Sequence, residues 1–457
     1  MKLTRRTLLA ASAATFALPG PLRADPAPLS AREGEATLLP EGYGATRIWG
    51  FDGTAPGPVL RFRQGDRLVR RFVNDLDQAS TVHWHGLRLP NAMDGVPGVT
   101  QEPVAPGAQF DYAFDLRDAG TFWYHPHDRA WEQVGRGMAG ALIVEEDTPP
   151  ETDRDEILLV QDWRLYDSGA MADDFGTMHD WAHGGRIGNW LTVNGRPAGA
   201  QPAGRHDRLR LRIVNAATAR VLQVARRGLD GWVIARDGQP LERPQELSDM
   251  LTIGPGSRAD LLVDVTAAAG ERAGLGHAER DGLSPLFLLD VADGGRTEPL
   301  GVPEPLPPND MPALGPLDAA QQAELRMAGG AMGGLSTATL DGEERRFGEL
   351  ARMGKLWAFN GAVDMDERPL LRVAPGETVR VALRNDTAWP HAMHLHGHHF
   401  RRLDDTGRPG PLGDTITLAP RERAEIAFVA ESPGDWLLHC HMLSHAASGM
   451  MTHIRVG

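Results

Sequence analysis

The stretch His439-Cys440-His441-Met442-Leu443-Ser444-His445, with Met450 five residues on, decides how this chain is read. In an extended strand successive side chains point to opposite faces. His439 and His441 then point one way and Cys440 the other. Cys440 is the single cysteine of the chain, so no intramolecular disulfide is open to it. A thiol beside imidazoles, with His445 and Met450 placed to fold back toward it, has the composition of a copper–thiolate electron-transfer site: two histidines, one cysteine and a weak thioether. His439 and His441 remain for metals on the other face, so bonded neighbours on one strand would join two metal sites. The plain alternative is a free core cysteine among surface histidines, and the sequence upstream argues against it.

Random placement of 17 histidines in 457 residues would give about 0.6 His-x-His pairs, the background a motif must beat. The chain has five, at 83/85, 125/127, 394/396, 396/398 and 439/441. Each aims two imidazoles to one side of an extended segment. Zinc is the first rival metal, but structural zinc sites commonly use several cysteines. Many imidazoles with one thiolate suit copper better.

Four of the pairs fall at equivalent places in an internal repeat. Pro58–Phe62 answers to Pro369–Val373, Gly65-Asp66 to Gly376-Glu377, Asn74-Asp75 to Asn385-Asp386, and His83 and His85 to His394 and His396. Gly120, His125 and His127 answer to Gly434, His439 and His441. Between them Asp207, Val214-Asn215 and Gly254-Pro255-Gly256 keep the skeleton without the histidine pairs. One β-domain thus occurs three times. The expected limits are 25–147, 148–298 without copper ligands, and 357–457 with the Cys440 site. A proline-rich linker and insert at 299–356 is expected to be helical over Asp318–Met327 and Phe347–Trp357. Strands are expected at Val59–Arg63, Leu68–Val73, Val82–Gly86, Phe122–His127, Ile157–Val160, Leu209–Val214, Val233–Ala235 and Leu261–Val265.

The bulk numbers agree. Fifty-three glycines and 34 prolines favour short strands with turns over long helices. The formal net charge of −14 argues against nucleic acid or an anionic membrane as partner. Residues 1–24 carry Lys2, Arg5, Arg6 and Arg23 and no acid. Thr4-Arg5-Arg6-Thr7-Leu8-Leu9 reads as a twin-arginine signal, and the apolar run Leu8–Leu18 is too short to span a bilayer. Export by the twin-arginine (Tat) machinery to the periplasm, with cleavage after Ala24 and no membrane anchor left, is the expectation.

Taken together, His83-Trp84-His85-Gly86, His125-Pro126-His127, His391-Ala392-Met393-His394-Leu395-His396-Gly397 and the His439–Met450 stretch resemble the four copper-binding motifs of multicopper oxidases. The resemblance spans the mature chain. It implies an all-β fold of three cupredoxin-like Greek-key sandwiches, with a trinuclear copper cluster between the first and third. It implies four copper ions. Type 1 copper takes His391, Cys440, His445 and axial Met450. Type 2 takes His83 and His394. The two type 3 ions take His85, His125 and His441, and His127, His396 and His439. The implied reaction couples one-electron oxidation of a donor at type 1, which passes electrons through Cys440, to four-electron reduction of O2 to water.

Asp94 resembles the acidic residue of the family that relays protons to oxygen; the competing reading is a turn aspartate before Gly95. A second acid found in some bacterial relatives just after the last type 1 histidine is replaced by Ala446. His398 and His399 are expected to be supporting or surface groups. His179 and His183, four apart, are expected to be solvated, a second metal or substrate site being the alternative. For the donor, laccase-like oxidation of phenols and aromatic amines is the first expectation. A cuprous oxidase in copper tolerance is the alternative, but Met311, Met327, Met332, Met353 and Met365 are scattered rather than clustered. A non-enzymatic structural protein on this fold is a third reading, disfavoured by the complete ligand set.

Overall fold

The computed structural model describes residues 27–457. The export signal expected at 1–24 lies outside them. The chain folds as three cupredoxin-like Greek-key sandwiches of two sheets each. In the first, Thr46–Phe51, Ala27–Ala36, Arg67–Asn74 and Gln109–Asp115 form one sheet and Leu60–Arg63, Gly140–Glu145, Gly120–His125 and His83–His85 the other. The middle unit pairs a six-stranded sheet with a five-stranded one, and the last unit does the same. Among the described residues no helix is long and apolar enough to cross a membrane.

The repeat is visible as a shared local device. In each unit the first strand runs parallel to a strand that ends in asparagine. Ala27–Ala31 lies along Arg70–Asn74, Arg154–Val160 along Leu209–Asn215, and Gln321–Met327 along Val379–Asn385. Each asparagine amide donates to two carbonyls of the following loops: Asn74 to Gln78 and Val104, Asn215 to Arg220 and Ile253, Asn385 to Trp389 and Ala419. Each side-chain oxygen accepts the N–H two residues on, from Leu76, Ala217 and Thr387. Those loops close one end of each sandwich, where backbone groups would otherwise lack partners.

Residues 318–327 correct the sequence reading. Gln321–Gly329 is a strand of the last unit's six-stranded sheet, inside the stretch expected to be a linker and insert with a helix. Its residues are good helix formers, but Leu325, Met327 and Gly329 are buried at a period of two between Thr378–Asn385 and Trp357–Phe359. Cross-strand pairing outweighs propensity differences of a few tenths of a kcal/mol per residue. The second expected helix is confined to Phe347–Arg352; Trp357 begins a strand.

One contiguous core joins the first and last units. It includes Trp84, Tyr124, Leu325, Met393, Trp436 and Cys440, whereas the middle unit has its own core around Leu211, Val224, Leu261 and Phe287. The two outer units therefore share apolar packing beneath the histidine-bearing strands.

Candidate metal centre

Strand alternation sets the site. His83–His85 pairs antiparallel with Gly120–His125, placing His83 opposite His125. Trp84 points the other way and packs its ring against Tyr112, Phe114 and Tyr124. In the last unit Met393 faces Cys440 and His394 faces His439. His391 shares the Met393 side of its strand, so it lies with Cys440; His394 and His439 lie on the opposite face.

On that opposite face eight imidazoles converge from the first and last units. Ring centroids are 3.9 Å apart for His83 and His396, 3.7 Å for His85 and His394, 5.1 Å for His127 and His439, and 5.2 Å for His125 and His441. All are buried except His127, which is half-buried. Potential ligand nitrogens come within 4.8 Å of one another in His83–His394–His396, His83–His85–His125 and His127–His396–His439. These groups overlap at His83 and His396, so the imidazoles form one pocket. His441 enters it through its ring, 4.9 Å from His85.

Hydrogen bonding shows what the pocket is made to hold. Nδ1–H of His83, His125 and His394 donates to the carbonyls of Asp94, Pro126 and Asp414 at 2.8, 2.9 and 2.9 Å. Nε2 of each then carries a lone pair, is buried and has no partner. His85 is reversed: Nε2–H donates to Asp414 Oδ1 at 3.3 Å and Nδ1 is bare. His396 Nδ1–H donates to Asp94 Oδ2 at 2.8 Å and His439 Nδ1–H to the Cys440 carbonyl at 3.0 Å. Their Nε2 atoms, both lone-pair atoms, face each other at 3.1 Å. In this tautomer two lone pairs meet there, and either a metal ion or a proton on one of the nitrogens makes the contact favourable. Burial, and then neighbouring imidazoles, hold His125, His127, His396, His439 and His441 well below the usual histidine range. Neutral imidazoles are the metal-binding form.

The Cys440 face is built likewise. His391 Nε2–H donates to Thr387 Oγ1 at 2.9 Å, and His445 Nε2–H to the carbonyl of His183 at 2.6 Å. Both Nδ1 atoms are left bare, 3.1 Å from each other and 3.6 and 3.7 Å from Cys440 Sγ. Burial pushes the thiol up to about 12, so a bound cation is what would make it a thiolate at neutral pH. Met450 is fully buried, and its carbonyl accepts the Cys440 N–H at 3.1 Å. The residues present on both faces fit copper: an N₂S set on one, and imidazole nitrogens alone on the other.

Asp94 both ends its turn and faces the pocket, with 1% of its surface exposed and Oδ1 3.3 Å from His83 Nδ1 without a hydrogen bond of its own. His398 and His399 are buried rather than at the surface. His398 Nδ1–H donates to the His396 carbonyl at 3.0 Å and its Nε2 accepts the Glu431 N–H at 3.2 Å. His179 and His183 stack at 4.2 Å.

Three residues were missed by sequence reasoning: Asp414, Arg258 and Asp237. Asp414 is fully buried and accepts both ends of the Arg258 guanidinium, at 2.9 and 2.7 Å. Burial opposes its charge, but Arg258 and the His85 and His394 imidazoles hold it well below the usual carboxylate range. Asp237 accepts the N–H groups of Arg258, Asp414 and Thr415. Burial and the Asp414 charge push it up to about 6. The middle unit, which contributes no member to the ligand groups found among the described residues, thus presses on the pocket. Gly86 at φ +87° leaves room for Arg258 Nη2, and a Cβ on Gly256 would lie 2.8 Å from the His441 ring. No motif marks these residues, because Asp414 and His85 are 329 positions apart.

Comparison with known proteins agrees with the geometry. Family models described as multicopper oxidase match residues 34–149 and 342–457. The multicopper oxidase MmcO of Mycobacterium tuberculosis is 30% identical over 93% of this chain and 88% of its own length. A copper resistance protein A homolog of Pseudomonas syringae is 25% identical over 89% of this chain and 88% of its own. The crystal structure of a multi-copper oxidase from Pseudomonas thermotolerans superposes with a TM-score of 0.81, at 34% identity, over 94% of this chain and 98% of that one. With two motif-bearing strands from each outer unit meeting in one histidine pocket, and relatives matching along nearly its whole length, the chain belongs to the multicopper oxidase family, copper-dependent oxidoreductases that use O2.

Proposed function

We propose that the chain holds four copper ions and reduces O2 to water in the periplasm with electrons from a small reductant. In this reading type 1 copper takes His391, Cys440, His445 and Met450; type 2 takes His83 and His394; and the type 3 pair takes His85, His125 and His441 with His127, His396 and His439. Copper supplies one-electron chemistry at the Cys440 face and oxygen reduction in the histidine pocket. The protein supplies everything else. Cys440 is bonded through the backbone to His439 and His441, so an electron arriving at the sulfur has a covalent path to the pocket. Asp94 holds His396 through Nδ1 with one oxygen, and its other oxygen, 3.3 Å from His83 Nδ1 and without a hydrogen bond, is the one placed to pass a proton. Asp414, held by Arg258, is the second carboxylate of the pocket.

The buried, bare Nε2 atoms of His83, His125 and His394, each fixed by an Nδ1–H hydrogen bond and aimed among other imidazoles, carry this reading. The twin-arginine segment at Thr4–Leu9 supports the location. Phenols and Cu(I) both fit the chemistry as donors. A copper resistance protein A homolog and a laccase both stand among the relatives, in keeping with either donor. The test is metal analysis with oxygen uptake. The loaded protein should hold about four copper ions and consume O2. Cys440→Ser should lose about one ion, the blue thiolate absorption and at least about a hundredfold of the uptake rate. A protein that binds a single copper, or none, would overturn the assignment.

A further inference from the structure

A cleft of about 480 Å³ opens between the middle and last units, lined by Arg236, Asp237, Arg258, Arg402, Thr415 and Thr417 among others. Asp237 is 5% exposed at its wall. It sits at φ 47°, in the turn between Leu229–Arg236 and Gln239–Glu246, a conformation uncommon for residues with a Cβ. None of the metal-ligand groups found among the described residues includes it.

Its two oxygens hold the segment behind the histidine pocket. Oδ1 accepts the Arg258 backbone N–H at 2.8 Å, and Oδ2 accepts the N–H groups of Asp414 and Thr415 at 3.2 and 3.3 Å. The Arg258 guanidinium lies between two carboxylates. Nη1 is 3.6 Å from Asp237 Oδ1, while Nη1 and Nη2 donate to Asp414 at 2.9 and 2.7 Å. Asp414 in turn accepts His85 Nε2–H on Oδ1 at 3.3 Å and His394 Nδ1–H on its carbonyl at 2.9 Å. Thr415 Oγ1–H donates to Asp414 Oδ1 at 2.8 Å, and the same oxygen lies 3.1 Å from His394 Nδ1. On the remaining side His399 Nε2 is 3.3 Å from the Asp237 carbonyl, and burial holds that imidazole below the usual histidine range, hence neutral. Arg236 and Arg402 add positive charge along the cleft. Burial and the Asp414 charge push the Asp237 carboxyl up to about 6, so it changes charge close to neutral pH.

We infer that Asp237 is a positioning residue through which the pH of this cleft tunes the metal-binding nitrogens of His85 and His394. The inference rests on the reading of those histidines as copper ligands and names what regulates them. As a carboxylate, Asp237 draws on the Arg258 charge and leaves Asp414 less neutralised. His85 Nε2–H then meets a stronger acceptor, and its bare Nδ1 becomes a better donor to a metal. With a proton taken from the cleft, Asp237 leaves Arg258 wholly to Asp414 and holds the Asp414 and Thr415 N–H groups less tightly. The same ligand nitrogens then become weaker donors.

NMR of the anaerobically reduced protein, in which copper is diamagnetic, reads the His85 Nε2–H directly. In wild type its resonance should move downfield with rising pH in one step centred at about pH 6. In Asp237→Asn it should stay fixed from about pH 5 to about pH 7.5. Arg236→Gln, which removes a cation from the cleft wall and keeps the carboxyl, should shift the step to higher pH. In the oxidised, copper-loaded protein the type 2 electron paramagnetic resonance signal should follow the same step through His394 and lose it in Asp237→Asn. The blue absorption at Cys440 should not change with pH in either. A His85 resonance that titrates alike in wild type and Asp237→Asn, a step that Arg236→Gln leaves in place, or a type 2 pH dependence that survives Asp237→Asn would overturn the inference. A protein without a type 2 signal would overturn the oxidase reading instead, and the His85 resonance would then decide the Asp237 link by itself.

Discussion

Arg258 shows how much of this centre depends on one side chain from a unit without ligands. Its guanidinium is fully buried between Asp414 and the Thr121 carbonyl. Arg258→Met leaves a buried carboxylate without its cation, and removing one partner of such a pair costs about 3–5 kcal/mol. Urea denaturation of the copper-free protein should show this loss, with a smaller one in Arg258→Lys, which keeps the charge but not the two-pronged contact. Asp237 gives a pH signature. Its folded pKa of about 6 lies above the ordinary 3.8, so the folded protein binds the extra proton between those values. The stability this group contributes is full below about pH 3.8 and lost as pH rises through about 6. Asp237→Asn does not titrate. The gap in urea midpoint between variant and wild type should therefore move in the variant's favour from about pH 5 to about pH 7.5; a gap constant with pH would mean the carboxyl is not raised. At this scale the sequence was most legible. The alternation of His439, Cys440 and His441 is a property of any strand, and the two faces it predicts are the two faces found.

The repeated elements are tied by Asn74, Asn215 and Asn385, and their environments separate stability from spectroscopy. Replacing any one by Ala strands two carbonyls and an N–H, a loss of about 2 kcal/mol. Asn385→Ala should do more. Its side-chain oxygen also accepts the Thr387 hydroxyl at 2.7 Å, and Thr387 Oγ1 holds His391 Nε2 at 2.9 Å. The blue absorption of the loaded protein should shift or broaden in Asn385→Ala and stay as in wild type in Asn215→Ala, although thermal denaturation registers both. Equal spectra would show that the Thr387 contact does not orient His391. Elements were also where sequence reasoning failed. Gln321–Gly329 looks helical by composition and is a strand, because its parallel partner lies more than fifty residues ahead in the chain. Local propensity does not record such a partner.

Across the whole molecule the histidine pocket is a joint between the two ends of the chain, so copper should act as a fastener as well as a cofactor. A ligand present at about 1,000 times its Kd stabilises the folded state by about 4 kcal/mol. Chelation should lower the calorimetric Tm by several degrees, and reloading with copper should restore it; an unchanged Tm would mean the pocket is held by packing alone. The sequence by itself determined which segments carry paired histidines, which strand face each side chain takes and the threefold repeat, because alternation and motif spacing are local properties of the backbone. Only the tertiary structure decided that Asp414 and Arg258 complete the pocket, that His398 and His399 are buried, and that the His183 carbonyl caps His445. Each of these contacts joins groups far apart in the chain, and no local pattern encodes how three sandwiches dock.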